Sequence, residues 1–308
     1  MIKLSNKSAN YMQKGEGVAK NAVSLIFRYI LLASVGFVYL YPIIYLLLGS
    51  LLSPGDQADP TVKWLPTQLY FKNYATAYET LDFAHSFGRT VIVALGPALL
   101  QTAATAIVGF GFARFNFPLK GLWLVLVIFT FIIPVDVTLV PRYVLYYQYS
   151  MTDTFLPAYL PAIFGQGIKS ALFILIFQTF FKSYPISFDE AAELDGAGKI
   201  GVFWRIAVPM AVPGIVISIL FTFIWYWNET ASFTMYFGNK LSTLPMQLQQ
   251  FTARFEALYG KAAETGNSLS NSITLAGTTL SILPVIILFL IFQKQFIESV
   301  ERSGITGE

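Results

Sequence analysis

Long uncharged, apolar runs alternate with polar stretches along this chain. An α-helix needs roughly 20 such residues to cross the hydrocarbon core of a bilayer. The pattern predicts an all-α membrane protein with six membrane-spanning helices, over Tyr29–Leu48, Thr90–Ala113, Gly121–Tyr147, Phe155–Phe181, Ile206–Asn228 and Ser272–Gln293. Prolines and glycines inside these spans are tolerated in membranes, and we expect kinks or close packing there. They are Pro97, Gly109, Gly111, Pro134 and Pro284.

The composition agrees with a membrane protein. Of the 308 residues, 55% are hydrophobic and 12% are charged, whereas soluble domains carry roughly 25% charged residues. The mean hydropathy is +0.60. So few charges cannot cover the surface of a water-soluble fold of this length, which excludes a soluble enzyme.

Lysine and arginine predict the side of the membrane on which each loop lies, because positively charged loops tend to stay in the cytoplasm. With the N-terminus inside, more than half of the 20 basic residues fall on the cytoplasmic side. We therefore expect both termini in the cytoplasm. The predicted segments are tails 1–28 and 298–308, a membrane domain 29–297, outer loops 49–89 and 229–271, and a cytoplasmic loop 183–209.

The chain offers few residues for catalysis or metal binding. It has no cysteine and one histidine, His85, so we predict no catalytic residue and no metal site. A net charge of +3 with scattered basic residues argues against nucleic acid as a partner. No G-x-x-x-x-G-K-[ST] loop is present, so we expect no nucleotide cofactor in this chain.

The cytoplasmic loop contains the pattern of a short helix outside the membrane. Ser187 and Glu190 have the spacing of a capping box, in which two side chains bind free amides of the first turn. Gly196 or Gly198 can end this helix. Its small side chains would let another protein approach closely, although an ordinary interfacial helix between two spans would have the same pattern.

The same loop resembles the EAA loop of the permease subunits of ABC importers. Residues 190–209 read E-A-A, three residues, G, nine residues and I-A-V-P. The family pattern ends in I-x-L-P, so only Val208 departs from it. The likeness extends over 20 positions and lies just before the predicted fifth span.

Further segments resemble the maltose-type carbohydrate branch of that family. They include G-F-G-F-A-R with F-P-L-K-G after the second span, two prolines in the third span, W-N-E after the fifth span, and T-L-P-M-Q-L-Q-Q-F in the second outer loop. The resemblance covers roughly residues 70–295. The C-terminal tail only loosely follows the family's usual ending.

This resemblance implies a multi-pass permease in the lipid of a bacterial inner (plasma) membrane. With a second homologous permease, the chain would form the pathway for a sugar or oligosaccharide delivered by an extracytoplasmic solute-binding protein, which the loop 229–271 would contact. ATP and Mg²⁺ would bind to two cytoplasmic ATPase subunits. The cytoplasmic helix would couple to them through Glu190, Ala191, Ala192, Leu194, Asp195 and Gly196.

Lys169 is the only charged residue in the predicted fourth span, and charges inside a membrane usually face a cavity or a partner. One hypothesis is that Lys169 lines the pathway beside Gln166, one helical turn away, and meets a sugar carboxylate. The other is an internal ion pair with Asp136 of the third span, or contact with helix carbonyls. The residues alone slightly favour this second hypothesis.

Trp227, Asn228 and Glu229 at the end of the fifth span are further candidates for the pathway. Trp225, Tyr226 and Trp227 could stack on sugar rings, but such residues at this depth ordinarily form an interfacial belt. We favour the belt. Asn228 and Glu229 either line the pathway or cap the loop.

Three other functions are compatible with parts of this pattern. An ABC permease for a non-sugar solute would share the EAA loop and is the nearest alternative. A secondary transporter would usually have charged residues in several spans and an inverted repeat, and neither is evident. A membrane-embedded enzyme would need a catalytic cluster that the scattered carboxylates do not form.

Overall fold

The computed structural model describes residues 2–62, 64–238, 240–260 and 267–305, with side chains described for 24–62, 64–238, 240–260 and 271–294. These residues form helices and connecting turns, and contain no β-strand. A π-helical turn, Phe203–Ala207, follows α10. The helices are α1 (Ile2–Ser50), α2 (Pro54–Ala58), α3 (Lys72–Thr80), α4 (Phe83–Arg114), α5 (Lys120–Ile132), α6 (Val135–Gln148), α7 (Leu156–Ile163), α8 (Ser170–Ser183), α9 (Ser187–Leu194), α10 (Lys199–Val202), α11 (Val208–Met210), α12 (Val212–Asn228), α13 (Ala231–Phe237), α14 (Leu244–Gln249), α15 (Phe251–Tyr259) and α16 (Asn267–Ile305).

Three of the six predicted spans are continuous helices. Ser24–Ser50 of α1, the whole of α4 and Asn271–Lys294 of α16 are each long and apolar enough to cross a membrane. The backbone of α1 already starts at Ile2, so most of the predicted tail 1–28 is helical and continuous with the first span. Likewise α16 runs on to Ile305, into the predicted tail 298–308.

The predicted third and fifth spans are bent. Helices α5 and α6 meet at 95°, because Pro134 forces the preceding Ile133 into an extended conformation (ψ 122°). The segment Lys199–Met210 meets α12 at 77°. The straight part of the fifth span therefore begins at Val212, six residues later than predicted. Helices α8 and α9 form a third bent pair. If each bent helix pair counts as one span, the described residues contain up to six.

The predicted fourth span is interrupted in its middle. Helix α7 ends at Ile163 and α8 begins at Ser170, and both Gly165 (φ 65°) and Lys169 (φ 52°) adopt left-handed conformations between them. Lys169 is therefore not inside a helix, as the apolar run predicted, but at the N-cap of α8. At its other end α8 turns by 74° into α9.

Helix α4 is the centre of the packing, against α7, α8 and α12. One buried cluster surrounds its first half and includes Val93 and Trp227. A second cluster, which we call the lower cluster, surrounds its last turns and includes Phe110, Phe177 and Phe203. The contact with α8 requires glycine at position 109, because a Cβ there would lie 2.6 Å from that of Phe177.

The segment 49–89, predicted as the first outer loop, is held together by side-chain caps. Ser53 and Asp56 form a capping box at the start of α2, with 3.1 Å between each side-chain oxygen and the other residue's amide. The Thr67 hydroxyl also donates to the Asp56 carboxylate. This bond, together with those from Ser53, lowers the pKa of Asp56 below its ordinary value of 3.8.

Candidate functional site

Helix α9, the predicted coupling helix, begins at Ser187. The amides of Asp189 and Glu190 donate to the Ile186 carbonyl at 2.9 and 3.1 Å, and Ile186 occupies the N-cap with a helical backbone. The predicted capping box of Ser187 and Glu190 is wrong, because Ser187 lies inside the first turn. No side chain caps α9 at this end.

The other end of α9 lies at Gly196, one of the two glycines predicted as its stop. Its φ of 85° lies in the left-handed region, which glycine adopts without strain. The amide of Gly196 donates to the Glu193 carbonyl at 3.0 Å, and that of Ala197 to the Ala192 carbonyl at 2.9 Å. These two bonds form a Schellman motif, so α9 ends at a defined residue.

A buried polar cluster, which we call the Arg–Tyr–Asp cluster, attaches α9 to the last residue of α4. The Arg114 Nε lies 3.0 Å from Asp189 Oδ2, with both side chains about one-tenth exposed. Tyr184 donates from its hydroxyl to Asp189 Oδ1 at 2.9 Å, and its carbonyl accepts from Arg114 Nη2 at 2.9 Å. The guanidinium also lies 3.9 Å from the centre of the Tyr184 ring.

Burial raises the pKa of the Tyr184 hydroxyl above its ordinary value of 10.0. The phenol therefore remains protonated at neutral pH and can donate to the carboxylate. Each member of the Arg–Tyr–Asp cluster thus contacts both others, and α9 is joined to α4 by an ion pair and by charge-assisted hydrogen bonds through Tyr184.

One face of α9 is open to solvent. Glu190, Ala191, Leu194, Asp195 and Gly196 are exposed, and Leu194 has 88% of its surface free. Ala192 is different, because it is half-buried and packs against the lower cluster. Five of the six predicted coupling residues are therefore exposed to solvent. The sixth, Ala192, packs beneath the helix against the lower cluster.

The interruption between α7 and α8 is fixed by two side chains from neighbouring helices. Gln101 of α4 is fully buried, and its amide nitrogen donates to the Ile168 carbonyl at 2.8 Å. A Cβ at Gly167 would lie 2.1 Å from Gln101 Oε1 and 2.4 Å from the Tyr226 hydroxyl oxygen. The segment 164–169 can approach α4 and α12 this closely only with glycine at position 167.

A cavity of about 340 Å³ lies beside this interruption. This volume is at the lower end of the roughly 300–1,000 Å³ found for small-molecule sites. Its wall is formed by the α5–α6 bend, the segment 166–171, the end of α12 and α13. Tyr146 and Tyr236 contribute aromatic surface and pack edge to face, with their ring centres 5.1 Å apart. Non-helical backbone at membrane depth is tolerated where it lines such a cavity.

Three charged side chains line the cavity: Arg142, Lys169 and Glu229. The ammonium group of Lys169 lies over the Trp225 ring, 4.5 Å from its centre. The Glu229 Oε1 accepts from the Ser232 amide at 2.9 Å, at the start of α13. The wall therefore carries two cations and one carboxylate. In the described part of the chain, no group of three His, Asp or Glu side chains could hold a metal ion.

The predicted pathway residues separate into two sets. Lys169, Gln166 and Glu229 line the cavity together, whereas Asp136, Trp227 and Asn228 do not. The predicted ion pair between Lys169 and Asp136 is not formed among the described residues.

The interfacial belt predicted for the end of α12 is wrong for Trp227. This side chain is 2% exposed and packs between Phe87 and Phe223, because α12 directs it toward the protein core. Asn228 is exposed and donates to the Ile224 carbonyl at 2.9 Å, within its own helix.

Three residues that contribute to these sites were not predicted. Arg142 lies in the predicted third span and was not singled out, but α6 brings it to the cavity wall. Nothing in the sequence marked Ser170, because the interruption that places it at the start of α8 was not predicted. Asp189 was not singled out either, because its partner Arg114 lies far away along the chain.

Comparisons with known proteins agree with these features. The model of the family described as binding-protein-dependent transport system inner membrane component matches residues 74–302. The chain is 30% identical over 275 residues to the probable ABC transporter permease protein YurM of Bacillus subtilis, covering 88% of this chain and 86% of that protein. It is 24% identical over 285 residues to the arabinooligosaccharides transport system permease protein AraQ of Halalkalibacterium halodurans, covering 89% and 94%.

The fold is also similar to that of a solved structure. The match is a chain in the crystal structure of a bacterial ABC transporter involved in the import of the acidic polysaccharide alginate. The TM-score is 0.75 at 21% sequence identity, covering 90% of this chain and 98% of that chain. The arrangement of helices is therefore one already found in a membrane transporter.

Proposed function

Because this chain belongs to the family of binding-protein-dependent transport system inner membrane components, we propose that it is a permease subunit of an ATP-driven importer for a sugar or oligosaccharide. It forms half of the pathway beside a second homologous permease in a bacterial inner membrane, with both termini in the cytoplasm. Two separate ATPase subunits hydrolyse ATP with Mg²⁺, and an extracytoplasmic binding protein delivers the substrate to the outer face, including the loop 229–271.

The choice of a sugar rests on two supports. The segments after the second, third and fifth spans and in the second outer loop resemble those of carbohydrate permeases. In addition, the relative AraQ is named for arabinooligosaccharide transport. A permease for another solute would be expected to keep the EAA loop without these flanking segments.

The observation that carries the proposal is the geometry of α9. Its outward face combines a small, flat surface at Ala191 and Gly196 with an exposed leucine and two carboxylates. Exposed apolar side chains rimmed by charges are typical of protein interaction sites. The Arg–Tyr–Asp cluster fixes this face to α4, so a partner that moves α9 also moves the central helix. We assign this face to the ATPase.

The assignment is tested by co-purification of the tagged permease with its ATPase. We expect Leu194→Asp to abolish retention of the ATPase, because it places a charge where an apolar side chain would be buried. The control is Leu119→Asp, which changes an equally apolar side chain, 67% exposed, in the loop after α4. Both variants should be inserted in the membrane at wild-type level. Equal retention of the ATPase by Leu194→Asp and by wild type would refute the assignment.

The cavity beside the α7–α8 interruption is the best-supported place for the substrate pathway. In many transporters, substrate sites are formed by discontinuous helices near the middle of the membrane. Lys169, Gln166 and Glu229 lie in the wall, whereas Trp227 supports it from the core. Asp136 and Asn228 lie outside this wall, and their proposed part is in the wider approach to the cavity.

A further inference from the structure

We propose that the cavity binds a negatively charged group of its substrate, so that the transported sugar carries a carboxylate or a sulfonate. This inference rests on the proposed function, and it names the class of sugar. The subsite consists of Lys169 and Ser170 at the N-terminus of α8, together with Arg142 of α6.

The two cations of the wall are free to meet an anion. In the described part of the chain, neither Lys169 nor Arg142 forms an ion pair with a carboxylate. The contact of Lys169 is the face of Trp225, which attracts the positive charge without occupying a particular N–H donor. The three donors of the ammonium group, and the planar donors of the Arg142 guanidinium, therefore remain available.

The start of α8 supplies a second, independent feature. This helix has 14 residues, and no side chain caps its first turn. The amides of Ser170 and Leu172 donate to the Gly167 and Lys169 carbonyls, whereas that of Ala171 has no acceptor among the described residues. This free amide and the dipole of the terminus favour an anion. Ser170, the first residue of α8, is 4% exposed and lines the cavity, and its hydroxyl has no hydrogen-bond partner among the described residues. A buried hydroxyl normally has a partner, and a substrate oxygen would provide one.

The single carboxylate of the wall does not cancel this preference. Glu229 accepts a hydrogen bond from the Ser232 amide and so caps the start of α13. One of its oxygens is therefore occupied, and with Lys169 and Arg142 on the same wall the net charge of the lining side chains is +1. An anionic substrate would meet two cations and the end of a helix dipole.

The remaining wall suits a sugar better than a bare inorganic anion. Hydroxyl groups of Thr130, Thr138 and Ser232 and the rings of Tyr146 and Tyr236 surround the same space. Sugar hydroxyls can form hydrogen bonds with the Thr and Ser hydroxyl groups, and the apolar C–H faces of a sugar ring can pack on the two tyrosine rings. A free phosphate ion would leave most of about 340 Å³ unfilled.

The first test compares charged and neutral sugars. The complete importer, with both permeases, the ATPases and the binding protein, is reconstituted in proteoliposomes. Digalacturonate, glucuronate and a glucose 6-sulfonate are offered beside galactobiose and glucose, with inorganic phosphate as a further probe. We expect uptake of at least one charged sugar, at 10 times or more the rate of its neutral counterpart. Uptake of neutral sugars alone, of phosphate alone or of none of the charged sugars would overturn the inference.

This outcome is separable from that of the proposed function. Retention of the ATPase by α9 does not depend on the sugar. An importer that keeps its ATPase and transports only neutral sugars would contradict the inference of an anionic substrate but not the proposed function. Loss of the ATPase interaction removes the function itself.

The second test assigns the site to its residues. We expect Lys169→Gln and Arg142→Gln each to raise the KM for the charged sugar about tenfold, the loss typical of a missing charge-assisted hydrogen bond. Lys169→Arg should restore it to within about threefold of wild type, because the charge and donors return. The control is Lys72→Gln, an exposed lysine at the start of α3. Unchanged KM in both glutamine variants, with the complex intact, would overturn the assignment.

Discussion

Replacing Asp189 by alanine removes the carboxylate that joins α9 to α4. The Arg114 guanidinium then keeps the Tyr184 carbonyl and ring as partners but loses its counter-ion. The Tyr184 hydroxyl loses its acceptor at the same time. The change therefore leaves the buried Arg114 without a counter-ion and the buried Tyr184 hydroxyl without an acceptor. Both ionic side chains are only about one-tenth exposed in the intact cluster.

The expected cost follows from this geometry. Removing one partner of a buried ion pair costs about 3–5 kcal/mol, and we expect about 3 kcal/mol because Arg114 retains two contacts. Asp189→Asn keeps an acceptor for Tyr184 and should cost less. The double variant Arg114→Met/Asp189→Leu replaces both charges by apolar side chains, and such replacements of buried pairs are often neutral. The double variant should therefore be more stable than Asp189→Ala.

The assay is thermal denaturation of the purified permease in detergent, followed by ATP-driven uptake in proteoliposomes. For a cost of about 3 kcal/mol and an unfolding entropy of about 2.1 cal/mol/K per residue, we expect the midpoint temperature to fall by about 5 °C in Asp189→Ala. Uptake per ATP hydrolysed should fall as well, because α9 can then move without α4. A double variant as unstable as Asp189→Ala, or no shift in either, would refute the view that pairing of these charges holds α9 in place.

Three further changes test other contacts. Gly109→Ala should lower the free energy of unfolding by about 1–3 kcal/mol, because its Cβ would overlap α8. Thermal denaturation measures this. The control is Gly111→Ala, where nothing lies within 4 Å of the added Cβ and we expect no loss of stability. Gly196→Ala should lower the free energy of unfolding by about 1–2 kcal/mol and speed hydrogen exchange at the end of α9, because φ at this position is 85°. The control is Gly198→Ala, at φ −69°, where we expect neither change. Because hydroxyl groups lower the pKa of Asp56 below 3.8, its contribution to stability is present above pH 3.8 and lost as the pH falls through the lowered pKa. A denaturation midpoint independent of pH between about 5 and 3 would contradict this.

Local patterns in the sequence located the three continuous spans and the end of α9. Uncharged runs marked the spans because the bilayer requires apolar side chains along a whole helix. The stop at Gly196 was predictable because only glycine adopts its backbone conformation without strain. Pro134 indicated a kink, and α5 and α6 meet there at an angle of 95°, a value that the proline pattern does not specify.

Features that depend on distant residues could not be predicted. The interruption before Lys169 is stabilised by Gln101 and Tyr226, which lie on other helices. An apolar run carries no sign of such contacts, so the run was taken as one helix. The same applies to the contact of Asp189 with Arg114, which lies at the end of another helix. The local capping pattern failed because α9 begins one residue earlier than it predicted, with Ile186 at the N-cap.

Helix α4 joins the two sites as a single rigid rod. Arg114 holds α9 at one end, and Gln101, on the same continuous helix, holds the interruption beside the cavity. At 1.5 Å per residue these two attachment points are roughly 20 Å apart. Helix α4 is therefore one continuous connection between α9 and the segment 164–169 beside the cavity, with no loop between the two attachment points.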